Sequence, residues 1–225
     1  MAFLKKLPKV VVFDFNGTLL DDLHVAYESV QEIFRIYDIS CPTLEQFREE
    51  ISADFMEFYF QHGFLRPTYK NELKGLVDDL QTIRRSFYRA NEGNARIRPD
   101  VSRMVSWLLV RGFYVAIVGA ERRTTLHGYL VKDGLQRRFD CVISEAWGDG
   151  AKKKALLEVG EIFKVFSEDI CYVDDTVDGL FAARDARVVP VAFTNHTGYH
   201  SKERLLHVTD ISVSEIGELK NLLKI

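Results

Sequence analysis

The sequence predicts an α/β protein, in which an open parallel sheet is interrupted by an inserted helical domain. Short apolar runs rich in β-branched residues alternate with helical patterns over much of the chain. One long interval, in contrast, contains helical patterns and no run that is typical of a strand. The chain has 225 residues, of which 47% are hydrophobic, so it can bury a substantial core.

Five apolar runs have the length and composition of buried strands. They are Val10 to Phe13, Phe113 to Gly119, Cys141 to Ser144, Ile170 to Asp175 and Arg187 to Phe193. A helical pattern precedes each of the later four. These patterns are Val101 to Val110, Thr124 to Lys132, Lys153 to Val159 and Gly179 to Ala186. This order favours right-handed crossovers and therefore a parallel sheet.

The long helical interval follows the first strand. Its predicted helices are Asp22 to Tyr37, Thr43 to Ser52, Asp54 to His62 and Thr68 to Asn91. We therefore predict a core of residues 1–20 and 97–225, and a helical insert of residues 21–96. The insert is rich in aromatic residues around DFMEFYFQHGFLRPTY. These rings either form its core or partly line a pocket in which Arg66, Lys70 or His62 meets a substrate.

The charge distribution excludes some classes of partner. The net charge is −3, from 30 basic and 33 acidic residues that are interspersed along the chain. Such a balance gives no strong field for nucleic acid or anionic lipid, so we expect neither a nucleic acid nor a membrane as partner. The start, MAFLKKLPKVVVFDF, fits neither a signal peptide nor a membrane span, and we expect a cytoplasmic protein.

Polar residues are expected to converge at one edge of the sheet, because all strands of a parallel sheet end on the same side. They are Asp14, Asn16, Gly17 and Thr18 after the first strand, Gly119 and Ala120 after the second, Lys152 and Lys153 before the next helix, and Asp174, Asp175 and Asp178 at the fourth. Carboxylates that are brought so close together would repel each other unless a cation offsets their charge. An oxygen-rich site without a His or Cys cluster favours Mg²⁺ over zinc. Asp14 would then remain ionised and could attack a phosphorus atom.

The motifs resemble those of the haloacid dehalogenase superfamily. DFNGTL is similar to the first motif of that superfamily, DxDGTL, and YVDDTVD is similar to its fourth, acidic motif. The order of the other elements agrees over the whole chain. The resemblance implies a Rossmann-like core with a helical cap inserted after the first motif, as in members that resemble phosphoglycolate phosphatase.

The resemblance also implies a role for individual residues. Asp14 is expected to be the nucleophile, and the hydroxyl of Thr18 is expected to hold the turn of the first motif. The expected magnesium ligands are Asp14, the backbone carbonyl of Asn16, Asp175 and, close behind, Asp178. The third-motif lysine is either Lys152 or Lys153. The residues expected at the substrate and its phosphate are Thr18, Gly119, Ala120 and Arg66.

Two positions depart from the pattern of the family's phosphatases. Their second motif-one residue is an aspartate that protonates the leaving oxygen and then activates water, whereas this chain has Asn16. Their second strand ends in Ser or Thr, whereas this chain has Gly119, which lacks a hydroxyl. An amide cannot carry a proton, and general acid–base catalysis typically contributes about 10²- to 10⁴-fold in rate. Restoring the acid by Asn16→Asp is expected to raise turnover if the missing proton carrier is the sole defect.

The expected function is a magnesium-dependent phosphomonoester hydrolase for a small phosphorylated molecule. In one version another group, such as His24 or His62, supplies the proton; in another the substrates are acyl or aryl phosphates with good leaving groups. The alternatives are a protein that binds a phosphorylated ligand or a protein partner without turnover, and a metal-free dehalogenase. Two further alternatives concern Asn16 itself. One is that it is an engineered change. The other is that it converts to aspartate, because glycine follows it.

Overall fold

The protein is described by a computed structural model that covers residues 6–52 and 54–223. The chain divides into two compact units. The core unit comprises the chain up to Asp21 and from Arg96 onward, and the inserted unit comprises Asp22–Ala95. The outermost residues of the predicted core, 1–5 and 224–225, lie outside the described residues.

The core unit contains a parallel sheet of six strands. The strands in chain order are β1 (Val10–Phe13), β2 (Leu20–Asp21), β3 (Arg96–Ile97), β4 (Tyr114–Val118), β5 (Cys141–Ile143), β6 (Ile170–Asp174), β7 (Val189–Phe193) and β8 (Ser212–Val213). The order across the sheet is β5-β4-β1-β6-β7-β8, while β2 and β3 form a separate antiparallel ribbon. The first strand of the chain is therefore central in the sheet.

Ten α-helices lie within the described residues. The inserted unit contains α1 (Leu23–Ile36), α2 (Leu44–Glu50), α3 (Phe55–Gln61) and α4 (Lys70–Asn91). The core unit contains α5 (Val101–Val110), α6 (Arg123–Lys132), α7 (Ala151–Phe163), α8 (Val177–Asp185), α9 (Lys202–Leu206) and α10 (Leu219–Leu222). None of these helices is both long enough and apolar enough to pass through a lipid bilayer.

The predicted fold class is confirmed, and the differences lie at the ends of predicted elements and in short elements that were not predicted. The strand expected from Arg187 begins at Val189, because Arg187 adopts a left-handed conformation with φ of 59° that a strand does not use. Helix α7 extends beyond the predicted Lys153 to Val159 at both ends. The sequence patterns did not predict β8 or the β2–β3 ribbon, which are two-residue strands and too short to have a periodicity.

Burial of the central strands fixes the carboxyl edge of the sheet. All four residues of β1 are fully buried, as are the last four of β4 and all of β6. On one face, Val10 and Val12 belong to a buried cluster with Leu156 and Val159 of α7. Because buried, close-packed strands allow little local movement, the residues that follow them are held in defined positions.

Aromatic rings form the core of the inserted unit. Phe34 of α1 contacts the rings of Phe58, Tyr59 and Phe64, with centroid separations of 6.3, 5.6 and 5.2 Å. Those four side chains are buried, whereas Tyr69, from the same aromatic-rich stretch, is 69% exposed. Rings in this geometry contribute about 0.5–1.5 kcal/mol per pair beyond their buried area.

Candidate active site

The candidate site lies at the carboxyl edge of the three central strands. The register pairs Phe13 of β1 with Ile117 of β4 and with Val173 of β6. Asp14 therefore follows β1 beside Asp174, the last residue of β6. The predicted convergence of loops thus brings residues that are about 160 positions apart into contact.

Asp14 is buried, and one of its carboxylate oxygens has two polar neighbours. Its Oδ1 lies 2.8 Å from Nζ of Lys152 and 3.1 Å from the hydroxyl of Tyr172. The same hydroxyl lies 3.0 Å from the carbonyl of Val118, so two acceptors share its single proton. Burial, reinforced by the charge of Asp14, raises the pKa of Tyr172 well above its usual value. Tyr172 therefore stays protonated and acts as a donor to Asp14.

Lys152 connects two of the acidic residues. Its Nζ lies 2.8 Å from Oδ1 of Asp14 and 2.7 Å from Oδ2 of Asp174. Burial alone would lower the pKa of Lys152, but the two carboxylates outweigh it and raise this pKa, so the ammonium group stays charged. The adjacent Lys153 is exposed to solvent. Of the two lysines that the sequence left open, Lys152 is the one beside the carboxylates.

The two acidic residues at the end of β6 have different environments. Asp174 accepts hydrogen bonds from the backbone N–H and the hydroxyl of Thr176, at 2.7 and 2.6 Å. Burial works to raise its pKa, but Lys152 and these hydrogen bonds outweigh burial and lower it. Asp175 accepts from the hydroxyl of Thr18 and the N–H of Tyr199, both at 2.7 Å. Burial and the charge of Asp174 nevertheless raise the pKa of Asp175 to about 7.

Two glycines allow the backbone to approach these carboxylates closely. A Cβ atom on Gly17 would lie 2.1 Å from Oδ2 of Asp175, and Gly17 also has a φ of 75°, which favours glycine. A Cβ atom on Gly179 would lie 1.8 Å from Oδ2 of Asp174. The acidic cluster therefore requires glycine at both positions.

The acidic cluster has the composition of a site for a hard cation. Among the described residues, one group of potential metal ligands is found: Asp14, Asp174 and Asp175, with one ligand atom each within 4.8 Å of one another. Burial, and then the neighbouring carboxylates despite Lys152, raise the pKa of Asp14 well above its usual value. Three buried carboxylates face one lysine, so a cation would relieve the repulsion that raises this pKa. Oxygen donors of this kind fit Mg²⁺.

Asp178, the fourth predicted metal residue, is not part of this group. It lies in the first turn of α8, and its side chain is exposed. Asp174, which precedes the motif residue Asp175, takes the third place in the cluster instead.

The loop after β4 lies on the other side of Asn16. Gly119 is buried. Its N–H donates to the carbonyl of Ile143 at the end of β5, and its carbonyl accepts from the N–H of Ala146 in the loop after β5, both at 3.0 Å. A Cβ atom on Gly119 would lie 3.0 Å from Cβ of Phe15. Ala120 is exposed. A hydroxyl-bearing residue at position 119 would therefore require a shift of the first-motif backbone.

Asn16 itself is half-buried, and its amide has a partner that the sequence patterns did not indicate. Its Nδ2 lies 3.5 Å from Oε2 of Glu121, the residue after Ala120. The prediction for this loop included only Gly119 and Ala120. The available signal was that Glu121 is a carboxylate in one of the converging loops.

Arg98 is a second residue that the sequence patterns did not indicate. Its guanidinium group donates to the carbonyls of Gly17 and Thr18, at 2.8 and 3.0 Å, and to the hydroxyl of Thr197 at 2.8 Å. Its side chain is 10% exposed. Arg98 thus joins the turn of the first motif to the loop that contains Tyr199, the donor to Asp175.

The remaining predicted residues lie in the inserted unit. Arg66 forms an ion pair with Glu57, and its guanidinium carbon lies 4.3 Å from the ring centre of Phe60. His62 lies 2.5 Å from a carboxylate oxygen of Glu50. His24 is exposed in the first turn of α1.

Comparison with known proteins agrees with the motifs. The sequence profile of the haloacid dehalogenase-like hydrolases matches residues 11–193. A haloacid dehalogenase-like hydrolase domain-containing protein of Arabidopsis thaliana is 22% identical over 250 residues, which cover 96% of this chain and 78% of that protein.

Solved structures show the same fold. One is described as a predicted phosphoglycolate phosphatase from Haemophilus somnus, with a TM-score of 0.71, 15% identity and coverage of 98% of this chain and 100% of that one. Another is a haloacid dehalogenase family hydrolase from Deinococcus radiodurans with bound phosphate and sodium, with a TM-score of 0.73, 17% identity and coverage of 97% and 96%. The family match spans the strands and loops that form the acidic cluster, and the chain belongs to the haloacid dehalogenase-like hydrolases.

Proposed function

We propose that the protein is a magnesium-dependent phosphomonoester hydrolase that acts on a small phosphorylated molecule through an aspartyl-phosphate. The observation that carries this proposal is the position of Lys152, whose Nζ lies within 2.8 Å of both Asp14 and Asp174. A buried carboxylate next to a fixed cation and further oxygen ligands is suited to attack on phosphorus. The phosphate in the Deinococcus radiodurans relative and the phosphatase description of the Haemophilus somnus relative support the same chemistry.

Each residue of the cluster has an assigned role in this proposal. Asp14 attacks the phosphorus atom, the bond from phosphorus to the leaving oxygen breaks, and the phosphoryl group is transferred to the carboxylate. Lys152 offsets charge on Asp14 and on the phosphoryl oxygens. Asp14, the backbone carbonyl of Asn16 and Asp175 would hold the magnesium ion, which when bound would supply further charge neutralisation at the phosphoryl group. Tyr172 orients Asp14 through its hydroxyl.

The inserted unit is proposed to act as the cap that selects the substrate, in the way the family resemblance implies. Its boundaries, Asp22–Ala95, begin after the β2 strand and end at β3. Arg66 is the proposed phosphate contact from this unit.

A second candidate function is binding of a phosphorylated ligand without turnover. The observations that favour it are the amide at Asn16 and the missing hydroxyl at Gly119. Glycine at position 119 cannot make the charge-assisted hydrogen bond to the phosphoryl group that a hydroxyl would make there. Such a hydrogen bond contributes about 1.5–3 kcal/mol. Such a protein would retain Asp14 and Lys152 yet release little product.

The deciding experiment is hydrolysis of para-nitrophenyl phosphate with and without Mg²⁺, followed through the first turnover, with Asp14→Asn as the blank. We expect magnesium-dependent release that is absent from the blank, together with a phosphorylated Asp14 detectable by peptide mass analysis. Binding of the phosphate compound without any release or phosphorylation would favour the second candidate.

A further inference from the structure

The structure brings one carboxyl group to the position where this chain lacks a proton carrier. Glu121 Oε2 lies 3.5 Å from Nδ2 of Asn16, the residue that replaces the usual acid. This separation is at the long limit of a hydrogen bond. Catalytic hydrogen bonds are often long before substrate binds and shorten in the complex. Glu121 therefore lies beside the residue that stands at the family's acid position.

Hydrogen bonds hold both the side chain and the backbone of Glu121 in place. Its Oε1 accepts a hydrogen bond from the backbone N–H of Arg122 at 2.7 Å, and its carbonyl accepts from the N–H of Glu145 at 2.9 Å. The side chain is half-buried, so it remains accessible to a substrate and to water. The loop that contains Glu121 also starts from Gly119, whose backbone bonds to the loop after β5.

An amide at position 16 is compatible with this neighbour, whereas a carboxylate would not be. Asn16 donates an N–H to Oε2 of Glu121 across 3.5 Å, and a carboxyl oxygen can accept it whether the group is protonated or ionised. An aspartate at the same place would be repelled by Glu121 whenever both groups are ionised. Asn16, which departs from the family pattern, and its neighbour Glu121 therefore form a compatible pair.

We propose that Glu121 is the proton carrier of this site, with Asn16 as the residue that orients it. This inference rests on the proposed phosphomonoesterase function. In the first step Asp14 forms a bond to phosphorus, the bond to the leaving oxygen breaks, and that oxygen takes the proton of the Glu121 carboxyl group. In the second step water attacks the phosphorus of the aspartyl-phosphate, Glu121 takes the proton from that water, and the Asp14–phosphorus bond breaks. Inorganic phosphate leaves, and both carboxyl groups return to their starting state.

The test compares Glu121→Gln with the parent and with Glu161→Gln, an exposed carboxylate on α7 that serves as the matched control. Each protein is given Mg²⁺ and either para-nitrophenyl phosphate, whose leaving group needs little acid, or an alkyl phosphate, whose leaving group needs it. First-turnover product, steady turnover and the fraction of phosphorylated Asp14 are measured. The double variant Asn16→Asp with Glu121→Gln tests whether an acid at the usual position replaces Glu121.

We expect Glu121→Gln to release one equivalent of nitrophenol and then to accumulate phosphorylated Asp14, with steady turnover lower by about 10²- to 10⁴-fold. With the alkyl phosphate the first turnover itself should be slow. The double variant should recover turnover, which a folding defect would not allow, and Glu161→Gln should match the parent.

Two results would overturn the assignment of Glu121 and leave the proposed function intact. One is an active parent whose Glu121→Gln variant is equally active on both substrates. The other is a Glu121→Gln variant that is inactive and is not rescued by Asn16→Asp, which would give Glu121 a structural role. A parent that neither phosphorylates Asp14 nor releases product would instead overturn the proposed function, and the role of Glu121 with it.

Discussion

The two sides of Asp14 differ in how densely they are bonded. On the side of β6, Asp174, Asp175 and Lys152 are held by hydrogen bonds and ion pairs between 2.6 and 2.8 Å. On the side of β4, the polar contact of Asn16 with Glu121 is 3.5 Å long, and Gly119 offers no side chain. The β6 side carries the acidic motif that matches the family, whereas Asn16 and Gly119, the two departures from the family pattern, lie away from it. The departures therefore leave the densely bonded acidic cluster unchanged.

The largest expected effect is on the densely bonded side, with Lys152→Met. The change leaves Asp14 and Asp174 without their cation, and removing one partner of a buried ion pair costs about 3–5 kcal/mol. We also expect turnover to fall by about 10²- to 10³-fold, since a fixed charge next to the phosphoryl group is lost. Urea unfolding and para-nitrophenyl phosphate turnover measure the two effects.

Lys153→Met is the matched control, because Lys153 is exposed one residue away. Its stability should stay within about 0.5 kcal/mol of the parent. Equal losses in the two variants would contradict the assignment of Lys152.

The next-largest effect is expected from Arg98, whose hydrogen bonds hold the loops next to the densely bonded side. Arg98→Met removes the donor to the carbonyls of Gly17 and Thr18 and to Thr197. Residues that orient metal ligands typically contribute about 10- to 100-fold in metal affinity, so Mg²⁺ should bind more weakly by that factor. Calorimetric titration with Mg²⁺ measures this without substrate. Arg96→Met, an exposed neighbour on β3, should bind Mg²⁺ as the parent does, and equal affinity in both variants would remove the role of Arg98.

A smaller effect is expected from pH. The pKa of Asp175 is raised from 3.8 to about 7, and a metal ligand must be deprotonated to bind. Affinity for Mg²⁺ should therefore rise by at least about tenfold per pH unit below 7, because the pKa of Asp14, the other carboxylate ligand, is also raised. In the metal-free protein this raised pKa contributes stability that is fully present below 3.8 and is lost as pH rises through about 7.

The measurement is calorimetric titration with Mg²⁺ across this pH range. Asp178→Asn, which alters an exposed carboxylate, should retain the pH dependence. An affinity that does not change with pH would contradict the raised pKa of Asp175.

The smallest effect is expected from Asn16→Asp on the sparse side. If Glu121 already carries the proton, a second acid beside it should change turnover by less than about tenfold. A gain of about 10²-fold or more, the usual contribution of a general acid, would mean that the site had lacked a proton carrier. Steady turnover of an alkyl phosphate is the appropriate measurement, since that leaving group depends on acid.

The sequence predicted the sheet well because strands depend on local patterns, and the same patterns placed Asp14 and Asp175 at strand ends. Asp14 and Asp175 follow apolar runs, and such runs identify strand ends directly. The choice between Lys152 and Lys153 depended on the start of α7, which has no capping side chain to mark it. Arg98 could not be identified, because its hydrogen-bond partners Thr18 and Thr197 are 80 and 99 residues away along the chain.

Tyr172 was hidden for a different reason. It lies inside an apolar strand, and an aromatic residue there is typical of a core position. Only its contact with Asp14 distinguishes it from a core ring.

The central position of β1 has a consequence for the order in which the protein folds during synthesis. This strand is synthesised before the other strands of the sheet, yet Val10 pairs with Tyr114 on one side and with Ile170 on the other. At about 5–20 residues per second, the second of these neighbours appears roughly 8–30 s after β1. Asp14 is therefore synthesised well before its partners Lys152 and Asp174, so a nascent chain without β6 contains Asp14 but not the acidic cluster.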